Sequence, residues 1–272
     1  MSRTLLAAAA LAVALSASPA AAQFEGRLDY RMKGLPGPEQ EAGKPSAAKQ
    51  EGKITIWVSN AGTRSEMSGM IPDGKGGVRP LKIVTLWKAT EPRKSIMIND
   101  EKKAYSVLDR GDRPVQHRKR KLERLGSGSV AGYACDKVRL SSEEGGVQEV
   151  CVTKALGKVS ALARMSAQDD DDIFEELRAA GLDGIPVSMR SLDDDEGVTM
   201  ELISAKKQAV PAAMFSVPPG YKEAGMVGVF ATPEQQQELE KAMKEARERM
   251  KDLTPEQRKQ MEEMMKQLGG GK

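Results

Sequence analysis

The sequence predicts a mainly β protein of the α+β class, an antiparallel sheet followed by a C-terminal amphipathic helical tail. Three observations carry that expectation. Apolar residues alternate at period two through the first two-thirds of the chain, the mark of half-buried strands. Successive strands are separated by short turns, which favours antiparallel pairing with one face often wet. After residue 225 the alternation gives way to helix-start signatures and apolar residues three and four apart.

The first strand alternates Phe24, Gly26, Leu28, Tyr30 and Met32 with Glu25, Arg27, Asp29, Arg31 and Lys33. A second carries Ile54, Ile56 and Val58, leaving Trp57 on the other face, and Leu81, Ile83, Thr85 and Trp87 form a third set. Residues 95–99 and 104–108 flank the turn Asp100, Glu101, Lys102 as a hairpin. Residues 134–140 and 147–153 read as two strands around a loop at 141–146. Residues 185–190 and 198–204 make a last pair, joined by the acidic turn 193–197. Residues 34–52, rich in Gly, Pro, Ala, Lys and Glu, read as a flexible insertion, and 71–80 as a Gly/Pro-rich loop. One helix is predicted over 170–180, burying Ile173, Phe174 and Leu177 and ended by Gly181 as C-cap. In the tail, Thr232 with Pro233 and Gln235, and Thr254 with Pro255 and Gln257, are helix starts. Leu239, Met243, Ala246, Met250 and Leu253 then form one apolar stripe, continued by Met261, Met264, Met265 and Leu268.

The organisation expected is a leader over 1–22, a sheet domain over 23–225 and a helical tail over 226–272. Arg3, the apolar run 5–15 and Ala20, Ala21 and Ala22 have the layout of a secretory signal peptide, with cleavage after Ala22. That run is too short to cross a bilayer and no second one follows, so no transmembrane anchor is expected. About 250 residues remain, enough for one sizeable domain. The net charge is only +3, which argues against general nucleic-acid binding. Aromatics are 4% of residues against 15 methionines, so the core is expected to be filled by flexible thioethers as much as by rings. An exported protein with two cysteines is expected to bridge them, here Cys135 to Cys151. Setting them directly opposite also sets Lys137 against Glu149 and puts Val138 and Leu140 with Val150 and Val152. The disulfide then lies on the face away from the core.

No catalytic constellation stands out. His117 is the only histidine and sits in a basic stretch, a poor basis for zinc or for a catalytic triad. Arg110, Arg113, Arg118, Lys119, Arg120, Lys121 and Arg124 suit either a polyanion or a solvated connection, and the latter is preferred. The acidic runs 169–172 and 193–196 lack calcium-loop spacing, so no metal is expected. No phosphate loop or nucleophile elbow appears; no cofactor and no enzyme activity are expected, although paired carboxylates such as Glu175 and Glu176 leave that open. The Met stripe of the tail is either the buried side of a helix or a surface for soft metal or unfolded clients.

Six segments taken in order resemble the bacterial domain-of-unknown-function family numbered 4412, whose members are exported. They are residues 24–30 (FEGRLDY), 54–58 (ITIWV) with Arg64 and Glu66, 103–108 (KAYSVL), 130–138 (VAGYACDKV), 152–157 (VTKALG) and 215–222 (FSVPPGYK). That family is in turn similar to the LolA/LolB-like periplasmic fold. The resemblance implies a strongly curved antiparallel sheet forming a half-barrel, closed on its concave side by one or two helices and sheltering a lipid, an acyl chain or another hydrophobic ligand. It supplies no catalytic residues. The inward positions expected to line such a pocket are Leu28, Tyr30, Ile54, Ile56, Ile83, Ile96, Val138 and Val150, which serve equally as ordinary core. In the tail, residues 253–257 (LTPEQ) are similar to a motif of Spy-type periplasmic chaperones, which implies an alternative role as a chaperone or a partner of an envelope protein.

Overall fold

Alternation of side chains puts one set of residues on each face of a strand, and here it builds one large sheet. The structure is a computed structural model that describes residues 24–35, 50–72, 78–109, 111, 120–142, 146–158, 162, 173–192 and 197–231, with five further positions between 237 and 245. Its strands are β1 (Gly26–Leu35), β2 (Gln50–Ser59), β3 (Gly62–Pro72), β4 (Val78–Lys88), β5 (Lys94–Asn99) and β6 (Ala104–Asp109). The second half supplies β7 (Arg120–Val130), β8 (Tyr133–Ser142), β9 (Val147–Thr153), β10 (Ile185–Ser191), β11 (Thr199–Lys207) and the two-residue β12 (Lys222–Glu223). They form a single 12-stranded sheet in the order β12-β6-β5-β4-β3-β2-β1-β11-β10-β9-β8-β7. The sheet is curved and does not close, since β12 and β7 are its two ends. Every pairing is antiparallel except β12 on β6.

Helix α1 (Ile173–Ala179) buries Ile173, Phe174 and Leu177, as its apolar spacing predicts. It ends in a left-handed Gly181 at φ 75°. The Leu182 N–H donates to the Leu177 carbonyl and the Gly181 N–H to that of Arg178, satisfying the last turn, with Leu177 and Leu182 both buried beneath it. The apolar side of α1 joins Phe24, Leu28, Tyr30, Ile56, Val138, Leu140, Val150, Val152 and Leu202 in the main core. The strands of both wings thus meet around one helix.

A second, smaller core lies on the opposite face. Val84, Leu86, Ile96 and Ile98 pack there under Val217 and Tyr221. After β11 the chain makes a 3-10 turn (Ala212–Phe215) on this face, where Phe215 meets β3. A Cβ on Gly62 would overlap the Trp87 carbonyl and press on the Phe215 ring at 3.1 Å. The chain then adds β12 beside β6 and continues into helix α2 (Met226–Phe230). Asn99 on β5 donates to the Val229 carbonyl at 2.8 Å, and the Lys102 ammonium donates to the Gly228 and Ala231 carbonyls.

Several expectations need correction. The disulfide is present, with Cα atoms 5.4 Å apart, but the strands are shifted by two residues. Lys137 stands opposite Cys151, Val138 opposite Val150 and Arg139 opposite Glu149, so the bridge runs diagonally across the ladder. Arg139, not Lys137, makes the salt link, at 2.7 Å from Glu149. Nor does the bridge lie outside the core, because Val150, Cys151, Val152 and Thr153 are all buried and β9 is covered on both faces. The loop over 71–80 contracts, as β3 runs to Pro72 and β4 starts at Val78. β3, β7 and the two-residue β12 are additional to the predicted strands; Arg120, Lys121 and Arg124 belong to β7 rather than to a connection. On β4 the deepest positions are Val84 and Leu86 of the second core, not Ile83 and Thr85. Of the insertion over 34–52, Gly34 and Leu35 belong to β1 and Gln50, Glu51 and Gly52 to β2. The leader, residues 36–49, His117, both acidic runs and the Met stripe of the tail lie outside the described residues.

Candidate functional site: the concave face of the sheet

Directly opposed residues in a ladder share a face, so register lays out the surface under α1 row by row. One row runs from Ala205 on β11 through Leu28 and Ile56 to Ser65, Thr85, Met97 and Ser106. The next carries Leu202, Tyr30, Ile54, Met67 and Ile83. On the other wing Val138 opposes Val150, which opposes Met189, and Met189 opposes Met200, which opposes Met32. Face assignment is therefore continuous from β4 to β8.

This geometry brings together most of the positions predicted to line a pocket. Leu28, Tyr30, Ile56, Val138 and Val150 belong to one cluster, and partly buried Ile54 packs against it. Ile83 is half-buried on the same face, three strands from β1, and belongs to neither core cluster. Ile96 does not join them. It pairs with Leu86, faces the opposite way and belongs to the second core. The shift follows from the β4–β5 register, which sequence alternation within each strand leaves undetermined.

Tyr30 brings a polar group into the floor of the apolar half. Its hydroxyl donates to the Pro186 carbonyl at 2.9 Å, and burial pushes the phenol well above its ordinary pKa. Beyond β2 the face changes chemistry. Thr63, Ser65, Ser95 and Ser106 are buried there, together with Trp87, which is 7% exposed. Among the described residues the Trp87 indole N–H has no hydrogen-bond partner.

The convex face carries a charged network that alternation alone reads as a wet strand surface. Asp29, 7% exposed, accepts from Arg27 at 2.8 Å and from Thr55 at 2.8 Å, and Ser204 donates to its other oxygen at 3.0 Å. Burial acts to raise the pKa of Asp29, but these hydrogen bonds and the Arg27 charge outweigh it, holding the carboxyl below its usual range. Arg27, Trp57 and Arg64 occupy one row, with the two guanidinium groups 5.6 and 5.9 Å from the indole centre. Arg64 also pairs with Glu66 at 2.7 Å. These charges pair with one another. The sequence did hold a sign of it: opposite charges two apart, at Arg27 and Asp29 and again at Arg64 and Glu66, share a strand face.

Comparison with known proteins places this sheet. The profile of the family described as "Domain of unknown function (DUF4412)" matches residues 44–221, more than half of the chain. The chain belongs to the DUF4412 family. The match spans β2 to the residue before β12 and omits β1, although β1 is the central strand of the sheet. No curated protein matches the chain. Among solved structures, an uncharacterized conserved protein from Thermus thermophilus is similar at 10% identity and a TM-score of 0.43, over 74% of this chain and 91% of that one. A DUF1329 family protein from Desulfovibrio piger is similar at 11% identity and a TM-score of 0.23, over 71% and 90%. Likenesses of this size leave the function of a DUF4412 protein to be argued from its own residues. The buried disulfide fits an oxidising compartment, and no helix among the described residues is long and apolar enough to cross a membrane.

Proposed function

We propose that the protein is an exported, non-enzymatic binding protein that shelters an acyl chain or another hydrophobic ligand between the concave face and α1. The observation that carries this reading is the continuous apolar floor made by Leu28, Tyr30, Ile54, Ile56, Val138 and Val150, roofed by Ile173, Phe174 and Leu177. An open antiparallel sheet whose apolar face is covered by a short helical roof is suited to taking in an apolar molecule. Removal of about 25 cal/mol per Å² of apolar surface from water supplies the affinity. The roof is seven residues long and is held by its buried face, by an ion pair from Arg120 to Glu176 at 3.5 Å and by the Arg124 guanidinium, which donates to the Ala180 carbonyl just past its end at 2.7 Å. A short element of that kind is among the parts of a fold that open most readily. The secretory leader and the disulfide support action in the periplasm or outside the cell.

Native mass spectrometry of gently purified protein tests the proposal. A co-purifying mass in the lipid range, lost on delipidation and regained on adding an acyl compound, is the expected result. Protein that carries no such mass and fails to bind acyl probes in titration rules the reading out.

A further inference from the structure

We propose that the hydroxyl-lined half of the concave face is a subsite for the uncharged, ester-bearing head of an amphiphile, with the Trp87 indole N–H donating to its carbonyl oxygen. The inference rests on the carrier reading above and extends it from the acyl chain to the head. One row of the sheet changes character along its length: Leu28 and Ile56 are aliphatic, and Ser65, Thr85 and Ser106 follow on β3, β4 and β6 with Met97 between the last two. Thr63 and Trp87 oppose one another in the adjacent row. A core whose only task is to fill space gains nothing from hydroxyls at such positions.

The indole decides the chemistry. A buried donor without an acceptor is disfavoured, and native structures rarely leave one without a reason. Trp87 is 7% exposed and its N–H has no acceptor among the described residues. Because it stands on the face that takes the chain, a ligand carbonyl is the missing acceptor. The head is uncharged because these two rows hold no charged side chain from β3 to β6. Arg64, Glu66 and Lys82 alternate onto the convex face. The charged side chain nearest along β4 on the concave face is Arg79, six residues from Thr85, or about 20 Å of strand. An ionised carboxylate seated beside Trp87 would stay unpaired. An acyl glycerol, whose ester and hydroxyls match an N–H and a run of hydroxyls, fits.

The test uses the full-length protein and displacement of diphenylhexatriene by 1-monooleoylglycerol and by oleate. The glyceride is expected to bind roughly tenfold more tightly than oleate. Trp87→Phe should remove about that factor, one hydrogen bond or ~1.4 kcal/mol, while leaving diphenylhexatriene binding unchanged. Ser106→Ala, a smaller change, should lower glyceride affinity severalfold without affecting the apolar probe. In Trp57→Phe protein Trp87 is the sole indole, so a glyceride brominated on its acyl chain next to the ester should quench its emission. Equal affinity for oleate and glyceride, or unchanged glyceride binding by both Trp87→Phe and Ser106→Ala, overturns the head subsite while retained diphenylhexatriene binding keeps the carrier reading. Failure to bind any of the three ligands removes both.

Discussion

Replacing both cysteines by alanine tests how the β8–β9 hairpin is held. The bridge joins residues 16 apart in sequence. Closing a loop of that length removes about 10 cal/mol/K of entropy from the unfolded chain, or ~3 kcal/mol at 25 °C. The two sulfurs are also buried, Cys135 at 5% and Cys151 at 4% exposure, so the double alanine variant additionally loses packing. Reduction of the parent protein retains both sulfurs and isolates the loop effect. Urea unfolding followed by circular dichroism should therefore show a loss of about 3 kcal/mol on reduction and a larger loss in the variant. For a domain of this size 3 kcal/mol lowers Tm by roughly 6–12 °C. A reduced protein within about 0.5 kcal/mol of the oxidised one would refute the reasoning. It would mean that the opposed pairs Val138 with Val150 and Arg139 with Glu149 keep the hairpin closed in the unfolded chain.

Three further outcomes follow from single residues. Tyr30→Phe removes the buried bond to Pro186 and should cost about 1 kcal/mol in chemical denaturation. Because burial raises the Tyr30 pKa, its contribution is complete below the unfolded value near 10 and falls as pH rises above it, so the variant should lose stability less steeply in alkali. Asp29→Asn should cost about 1–3 kcal/mol at neutral pH, read by thermal melts. The depressed carboxyl pKa makes that advantage present above the unfolded value near 3.9 and lost as pH falls below it, so parent and variant melts should converge in acid. Phe215→Ala opens the contact of the C-terminal segment with Gly62 and should cost about 3–5 kcal/mol, checked by urea titration and by faster proteolysis near residues 208–221.

The parts of the fold legible in the sequence are those in which one physical signal dominates. Aliphatic alternation marks β1, β2, β5 and β6, and the spacing of Ile173, Phe174 and Leu177 with Gly181 marks α1 and its end. β3 hides because its concave face is buried hydroxyl, Thr63 and Ser65, and its convex face is the ion pair Arg64 and Glu66. β7 hides because it is an edge strand, exposed over 123–127. The two-residue register error at the disulfide has a chemical origin: Lys137 and Arg139 are both cations on the bridge face, and either suits Glu149. For the site, the aliphatic half of the concave face is readable as alternation. Its hydroxyl half and Trp87 depend on which strands become neighbours, which no single-strand pattern encodes.

An unclosed sheet of twelve strands has two edges to protect from other chains, and this one protects them differently. At the β6 end the chain covers its own edge. The segment after β11 seals the second core, pairs as β12 and fastens α2 to β5 and the following turn through Asn99 and Lys102. At the β7 end, charged side chains at Arg120, Lys121, Glu123 and Arg124 and a bulge between Arg124 and Gly126 spoil a flat docking edge. The two apolar cores stand on opposite faces, each with its own cover. The carrier role proposed above needs that division. The second core lies under the C-terminal segment away from α1, so in that role displacement of the seven-residue α1 would leave it and the β4–β6 ladders in place.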